Sequence, residues 1–137
     1  MIVVDTNILA YQLLAQADPT MRGVAARLLA KERILLPVLW RHEFLNVLAG
    51  YAKARLLSLE DAEGAWYQAV SMAQHVEAEV DMMRALELSQ ECGISAYDAQ
   101  FVALAEGANT LLITEDKRLR HAVGKRAVGM KEYLAAR

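Results

Sequence analysis

Short apolar runs alternate along this chain with stretches of helical periodicity, and that alternation leaves few folds open. Ile2-Val3-Val4, Ile34-Leu35-Leu36 and Leu111-Leu112-Ile113-Thr114 lack the polar alternation of a half-exposed strand. They read as strands buried on both faces. Between them the apolar residues recur at helical spacing. Trp40, Phe44, Val47, Leu48 and Tyr51 form the stripe of a helix over about 40–53 with one buried face. Further helices are expected over about 7–14, 20–31, 58–73, 81–91 and 95–106, near 118, and from about 131. Asp18-Pro19 reads as an N-cap followed by proline in the first turn, and Ser58-Leu59-Glu60-Asp61 has the form of a capping box. Gly93 and Gly107 are expected to stop their helices, and Pro37 to break the second apolar run. Weak alternation over 75–79 and a segment near Val128 are candidate short strands. Buried strands separated by helices predict an α/β fold with a parallel sheet covered on both faces. Ligands bind such sheets in the crevice beyond the carboxyl ends of the strands.

The chain's 137 residues fit one domain, 1–137, with no repeat, low-complexity tract or linker. A hydrophobic fraction of 55% supports a packed core. The single cysteine, Cys92, excludes an internal disulfide and suits a reducing compartment. Met1-Ile2-Val3-Val4-Asp5 lacks the basic region of a secretory signal, and no apolar stretch reaches the ~18 residues of a spanning helix. A cytoplasmic protein with no membrane association is the expectation. A net charge of −2 argues against a strongly basic nucleic-acid coat but allows a local basic patch.

Four acids stand out by position. Asp5 directly follows the first strand, although Asp-Thr-Asn is also a common cap sequence. Asp98 falls within the stripe of Ile94, Phe101, Val102 and Ala105, where a carboxylate is costly unless it is paired, hydrogen-bonded or bound to a cation. A Ser95-x-x-Asp98 capping box is the local alternative. Glu43 lies where the 40–53 helix turns from core to solvent, and a solvated boundary residue is its plain reading. Asp116 follows the Leu111–Ile113 strand and, alone, reads as a cap. If the strands bearing Asp5 and Asp116 are neighbours, their backbones lie ~5 Å apart. Carboxylates that close repel one another unless a cation neutralises them. An all-oxygen acidic site suits Mg²⁺ or Mn²⁺. His42, His75 and His121 have no zinc-like spacing, and Cys92 reads as a small core residue. No nucleophile elbow or Gly-rich phosphate loop occurs.

In this order the motifs resemble the PIN-domain family, and within it the small toxins of bacterial and archaeal toxin–antitoxin pairs. The matching pieces are Val4-Asp5-Thr6-Asn7, Glu43, Ile94-Ser95-Ala96-Tyr97-Asp98-Ala99 and Leu112-Ile113-Thr114-x-Asp116. The resemblance implies a three-layer α/β/α sandwich with a central parallel sheet of about five strands. It implies a metal-dependent ribonuclease in which Asp5, Asp98 and Asp116 bind Mg²⁺ or Mn²⁺, and Glu43 binds directly or through water. Thr6, Asn7 and Thr114 would orient those groups. Products would end in 5′-phosphate and 3′-hydroxyl. A cognate antitoxin and a homodimer follow from the resemblance alone. Some relatives carry a further acid just after the fourth; here Lys117, Arg118 and Leu119 stand there, which puts a second metal site in doubt.

Lys117, Arg118, Arg120, Lys125 and Arg126 follow Asp116 closely and could line an RNA path, or could form a solvated helix face. Met72, Met82 and Met83 read first as core fillers, with a partner surface as the alternative. Competing readings are an aspartyl phosphatase using Asp5, a binding module that keeps the fold without hydrolysis, and a PIN nuclease of RNA maturation or decay. Asn7 stands where the phosphatase would carry a second acid.

Overall fold

The computed structural model describes all 137 residues. Five strands form the sheet: β1 (Ile2–Val4), β2 (Ile34–Pro37), β3 (Glu77–Ala78), β4 (Leu112–Ile113) and β5 (Ala127–Val128). All neighbouring pairs run parallel, in the order β3-β2-β1-β4-β5. The helices are α1 (Thr6–Leu13), α2 (Pro19–Lys31), α3 (Trp40–Lys53), α4 (Leu59–Ala73), α5 (Met82–Cys92), α6 (Ala96–Gly107), α7 (Lys117–Val123) and α8 (Met130–Ala135). No helix is long and apolar enough to cross a membrane.

The sheet is short-stranded and apolar throughout its centre. Ile2, Val3, Val4, Leu112 and Ile113 are fully buried, as expected for strands covered on both sides. α6 lies against β1, β2 and β4 and carries α5 on its outer side, while α1 packs with α2, α3 and α4 in the other helical layer. The α3 stripe is realised: Trp40, Phe44 and Leu48 are buried, and Val47 and Tyr51 pack partly against the core. Trp40 stacks on Trp66 with ring centroids 6.0 Å apart, joining α3 to α4.

Local signals set the boundaries. Asp18 caps α2 through Thr20 N at 2.8 Å, Ser58 caps α4 through Asp61 N, and Asp81 caps α5 through Arg84 N. Gly93 ends α5 at φ +65°, the left-handed conformation that glycine adopts without a Cβ clash. Two expectations are corrected. Pro37 belongs to β2, as its last residue, paired with Ala78; at a strand end its missing N–H costs no interior ladder bond. Gly107 is still helical, and the chain turns at Asn109 instead (φ 52°), one of the few non-glycine residues that tolerate this region.

Candidate metal centre

The strand order reverses direction between β1 and β4, so the crevice beyond their carboxyl ends is the topological switch point of the sheet. Val4 pairs with Ile113, and the Asp5 amide donates to the Ile113 carbonyl at 2.9 Å. That register sets Asp5 beside Thr114, which itself donates from its amide to Val128 of β5. Asp116 follows two residues later as the N-cap of α7. Glu43 reaches the same crevice from the first turn of α3, and Asp98 from the first turn of α6.

Thr6 (2% exposed) and Thr114 (fully buried) are the only buried polar residues of the protein. Each donates its hydroxyl to one of the four carboxylates. Thr114 Oγ1 donates to Asp5 Oδ2 at 2.8 Å, and Thr6 Oγ1 to Glu43 Oε1 at 2.7 Å. Thr114 Oγ1 also accepts from the Asp116 amide at 3.1 Å, so one hydroxyl orders two of the acids. Asp116 Oδ1 caps α7 through Leu119 N at 3.0 Å. Asp5 stands at the N-cap of α1 with no cap hydrogen bond of full geometry, though the amides of Asn7 and Thr6 lie near enough to favour its charged form. Ser95 caps α6 by accepting from the Asp98 amide at 3.0 Å, which leaves the Asp98 carboxylate to the crevice.

The electrostatics show how closely the four acids are associated. Burial pushes the Asp5 carboxyl above the usual range; the Thr114 hydroxyl and the Asn7 amide work against this, and the Asp116 charge adds to it. Glu43 is raised by burial, lowered in part by the Thr6 hydroxyl, and raised again by Asp5 and Asp98. Asp98 is raised by burial and by the charges of Asp5 and Asp116. Such mutual repulsion in a partly desolvated crevice is relieved by protons or by a cation. The donor chemistry, carboxylate and hydroxyl oxygen throughout, fits Mg²⁺ or Mn²⁺ and not zinc or copper. As they stand, no three ligand-type side chains converge closely enough to hold an ion.

The model of the PIN domain matches residues 2–125. The chain belongs to the PIN-domain family. Solved structures share the fold of this PIN domain along nearly its whole length. PAE2754 from Pyrobaculum aerophilum superposes with a TM-score of 0.70 at 21% identity, over 98% of this chain and 94% of that one. FitAcB from Neisseria gonorrhoeae gives 0.69 at 15% identity, over 96% and 99%. A toxin–antitoxin complex from Klebsiella pneumoniae gives 0.66 at 21%, over 95% and 98%. No curated protein matches the sequence.

The basic residues that follow Asp116 do not form one path in this PIN domain. Arg118 lines a cavity of about 320 Å³ together with Asp98 and Asp116, and Lys117 is exposed beside them. Arg120 turns inward: its Nε is enclosed without a partner, and its guanidinium lies against Gly129 beside Glu115. Arg126 faces Glu106 at 4.0 Å and Cys92. The three histidines sit on separate segments, all exposed. Met72, Met82 and Met83 are exposed rather than core, because α4 and α5 turn those positions outward. Sequence reasoning missed Tyr11, whose phenol is pushed up by burial and by the charges of Glu115 and Asp5. Its place one helical turn after Asn7 is the signal that would have found it.

Proposed function

We propose that this PIN domain, spanning 1–137 as one unit, is a Mg²⁺- or Mn²⁺-dependent endoribonuclease and the toxin of a toxin–antitoxin pair. The observation that carries the nuclease reading is that two buried threonines, Thr6 and Thr114, turn their hydroxyls onto Glu43 and Asp5 at the carboxyl end of the central strands. A fold has no packing reason to bury hydroxyls against carboxylates at a sheet's switch point; a site that must hold acids in place does.

In this reading Asp5, Asp98 and Asp116 hold the cation, with Glu43 at its edge. When bound, the divalent ion supplies neutralisation of the phosphate and acidification of the attacking water. The chain's own contribution is positional. Thr114 holds the Asp5 carboxylate through Oδ2, and Thr6 holds that of Glu43 through Oε1. Arg118, beside Asp98 and Asp116, meets a phosphate of the RNA, and Lys117 adds positive charge at the entrance. Arg120, with its Nε buried and its guanidinium against Gly129, is the weaker candidate for such a contact. No histidine pair stands near the centre to activate a 2′-hydroxyl, in keeping with products that end in 5′-phosphate and 3′-hydroxyl.

The likeness to toxin–antitoxin complexes supports a protein partner for this chain. The exposed Met82, Met83 and Leu86 on α5 give apolar surface for a homodimer. Copurification with a small protein encoded beside it tests the first, and light scattering the second. The competing reading is a binding module that keeps the fold without hydrolysis. Cleavage of mixed RNA by wild type and Asp5→Ala, with Mn²⁺ or with EDTA, decides between them. Metal-dependent cutting lost in Asp5→Ala supports the nuclease; no cutting by partner-free wild type supports the binding module.

A further inference from the structure

A groove of about 610 Å³ opens between α1 and α3, separate from the cavity that holds Arg118. None of the four acids lines it, but it lies next to two of them in the chain. Asn7, two residues after Asp5 on α1, and Asn46, three residues after Glu43 on α3, both line it. Deeper in, the half-buried rings of Tyr11 and Tyr51 form its walls, and Gly50 leaves its floor open.

The chemistry of the lining is selective. No lysine or arginine contributes. The one charged residue is Asp18, whose Oδ1 is engaged by the Thr20 and Met21 amides. A phosphate would find no cation here and an acid nearby. A neutral planar group finds phenol rings to stack on and exposed amides with both donors and acceptors. The cationic side of the centre is the other cavity, where Arg118 stands beside Asp98 and Asp116.

We propose that the α1–α3 groove receives an unpaired nucleobase next to the scissile phosphate, stacked against Tyr11 or Tyr51 and read on its edge by Asn46. The proposal rests on RNA being the substrate of the adjacent centre. The backbone then runs along the Arg118 side while one base turns into the groove, so the two cavities divide a single nucleotide between charge and stacking. Unstacked bases held on aromatic rings with amide contacts to their edges are the usual means of reading single-stranded RNA.

Gly50 provides a clean obstruction. A Cβ built there meets nothing within 4 Å, and leucine is a better helix former than glycine, so Gly50→Leu fills the groove without disturbing α3. Fluorescein-labelled oligouridylate and a matched abasic strand of equal charge are titrated against wild type, Gly50→Leu and Tyr51→Ala, with Ca²⁺ in place of Mg²⁺. Wild type is expected to bind the intact strand about tenfold tighter than the abasic one, within the range that stacking of one base supplies. Both variants should lose that difference while keeping the abasic affinity. Equal binding of the two strands by wild type, or discrimination retained in both variants, overturns the proposal; so does failure to bind either strand. Base-dependent binding without Mg²⁺-dependent cleavage keeps the groove and removes the nuclease reading. Cleavage without base discrimination does the reverse.

Discussion

Thr114 and Asp5 lie 109 residues apart in the chain, and the hydroxyl of one donates to the carboxylate of the other at 2.8 Å across the junction of β1 and β4. The same hydroxyl accepts the Asp116 amide. Thr114→Val keeps the shape and removes both bonds. Activity is expected to fall about 10–100-fold, as when an orienting partner of a metal ligand is lost, and Thr114→Ser should restore most of it. Steady-state cleavage of one RNA by the three proteins is the measurement. Wild-type rates in the valine variant would show that the contact positions nothing.

Raised carboxyls make a pH prediction with a definite sign. Burial and mutual repulsion hold the carboxyls of Asp5, Glu43 and Asp98 above the ordinary values of aspartate and glutamate. The folded protein therefore binds protons more tightly than the unfolded chain, and the stability they contribute is present at low pH and lost as pH rises through the folded values. In the metal-free protein these three groups should cost stability as pH rises from the unfolded carboxylate range towards neutrality, and replacing Asp5 should flatten that part of the profile. Added Mg²⁺ should raise the melting temperature most at neutral pH, and Asp5→Asn should raise that of the metal-free form. Thermal melts in EDTA and in Mg²⁺ across this range read all three; a profile in EDTA that Asp5→Asn leaves unchanged would contradict the prediction.

Glu77 behaves in the opposite sense. It accepts Arg41 Nε at 2.8 Å, Arg41 Nη2 at 2.7 Å and Trp40 Nε1 at 3.0 Å, tying the start of α3 to β3. The Arg41 guanidinium holds its carboxyl below the usual glutamate value. Its stabilising effect is present above the unfolded value of 4.5 and is lost as pH falls through the lower folded value. Glu77→Gln should lower the melting temperature by about 3–5 °C at neutral pH, the shift that ~1 kcal/mol gives in a domain of this size. The gap should close in acid.

Arg118 and Arg120 are expected to separate cleanly. Arg118→Ala should weaken RNA binding and reduce the slope of log affinity against log salt by about 1, the signature of one lost phosphate contact. Arg120→Ala should leave that slope alone and lower thermal stability, because its guanidinium fills the space against Gly129 and Glu115. Salt titrations and melts on the two variants decide it; the reverse pattern would move Arg120 to the RNA.

Much of this arrangement was legible in the residues. The buried strands announce themselves through uninterrupted β-branched runs, and Asp98 through a charge set in an apolar stripe. Ser95, Ser58, Asp18 and Asp81 mark helix starts because capping is a local event between residues two or three apart. What the sequence hides is long-range. Nothing in the spacing of Trp40, Arg41 and Glu77 says that a strand edge and a helix start will share one carboxylate. Charge spacing alone groups Arg118, Arg120 and Arg126, whereas the helix and the turn after it send them to three different places. Met82 and Met83 are apolar but outward-facing, a choice made by how α5 docks on α6 and not by hydropathy.

The strand order has a consequence for the order of synthesis. Asp5 is synthesised 109 residues before its hydroxyl donor Thr114, which follows, with Asp116, the strand that docks against β1 on the side away from β2. Until Leu112 and Ile113 have paired with Val3 and Val4, Asp5 lacks its hydroxyl donor and Asp116 has no place beside it. The centre is thus completed only when the sheet closes: a chain that has not yet added β4 carries Asp5, Glu43 and Asp98 without the hydroxyl that holds Asp5 or the fourth acid.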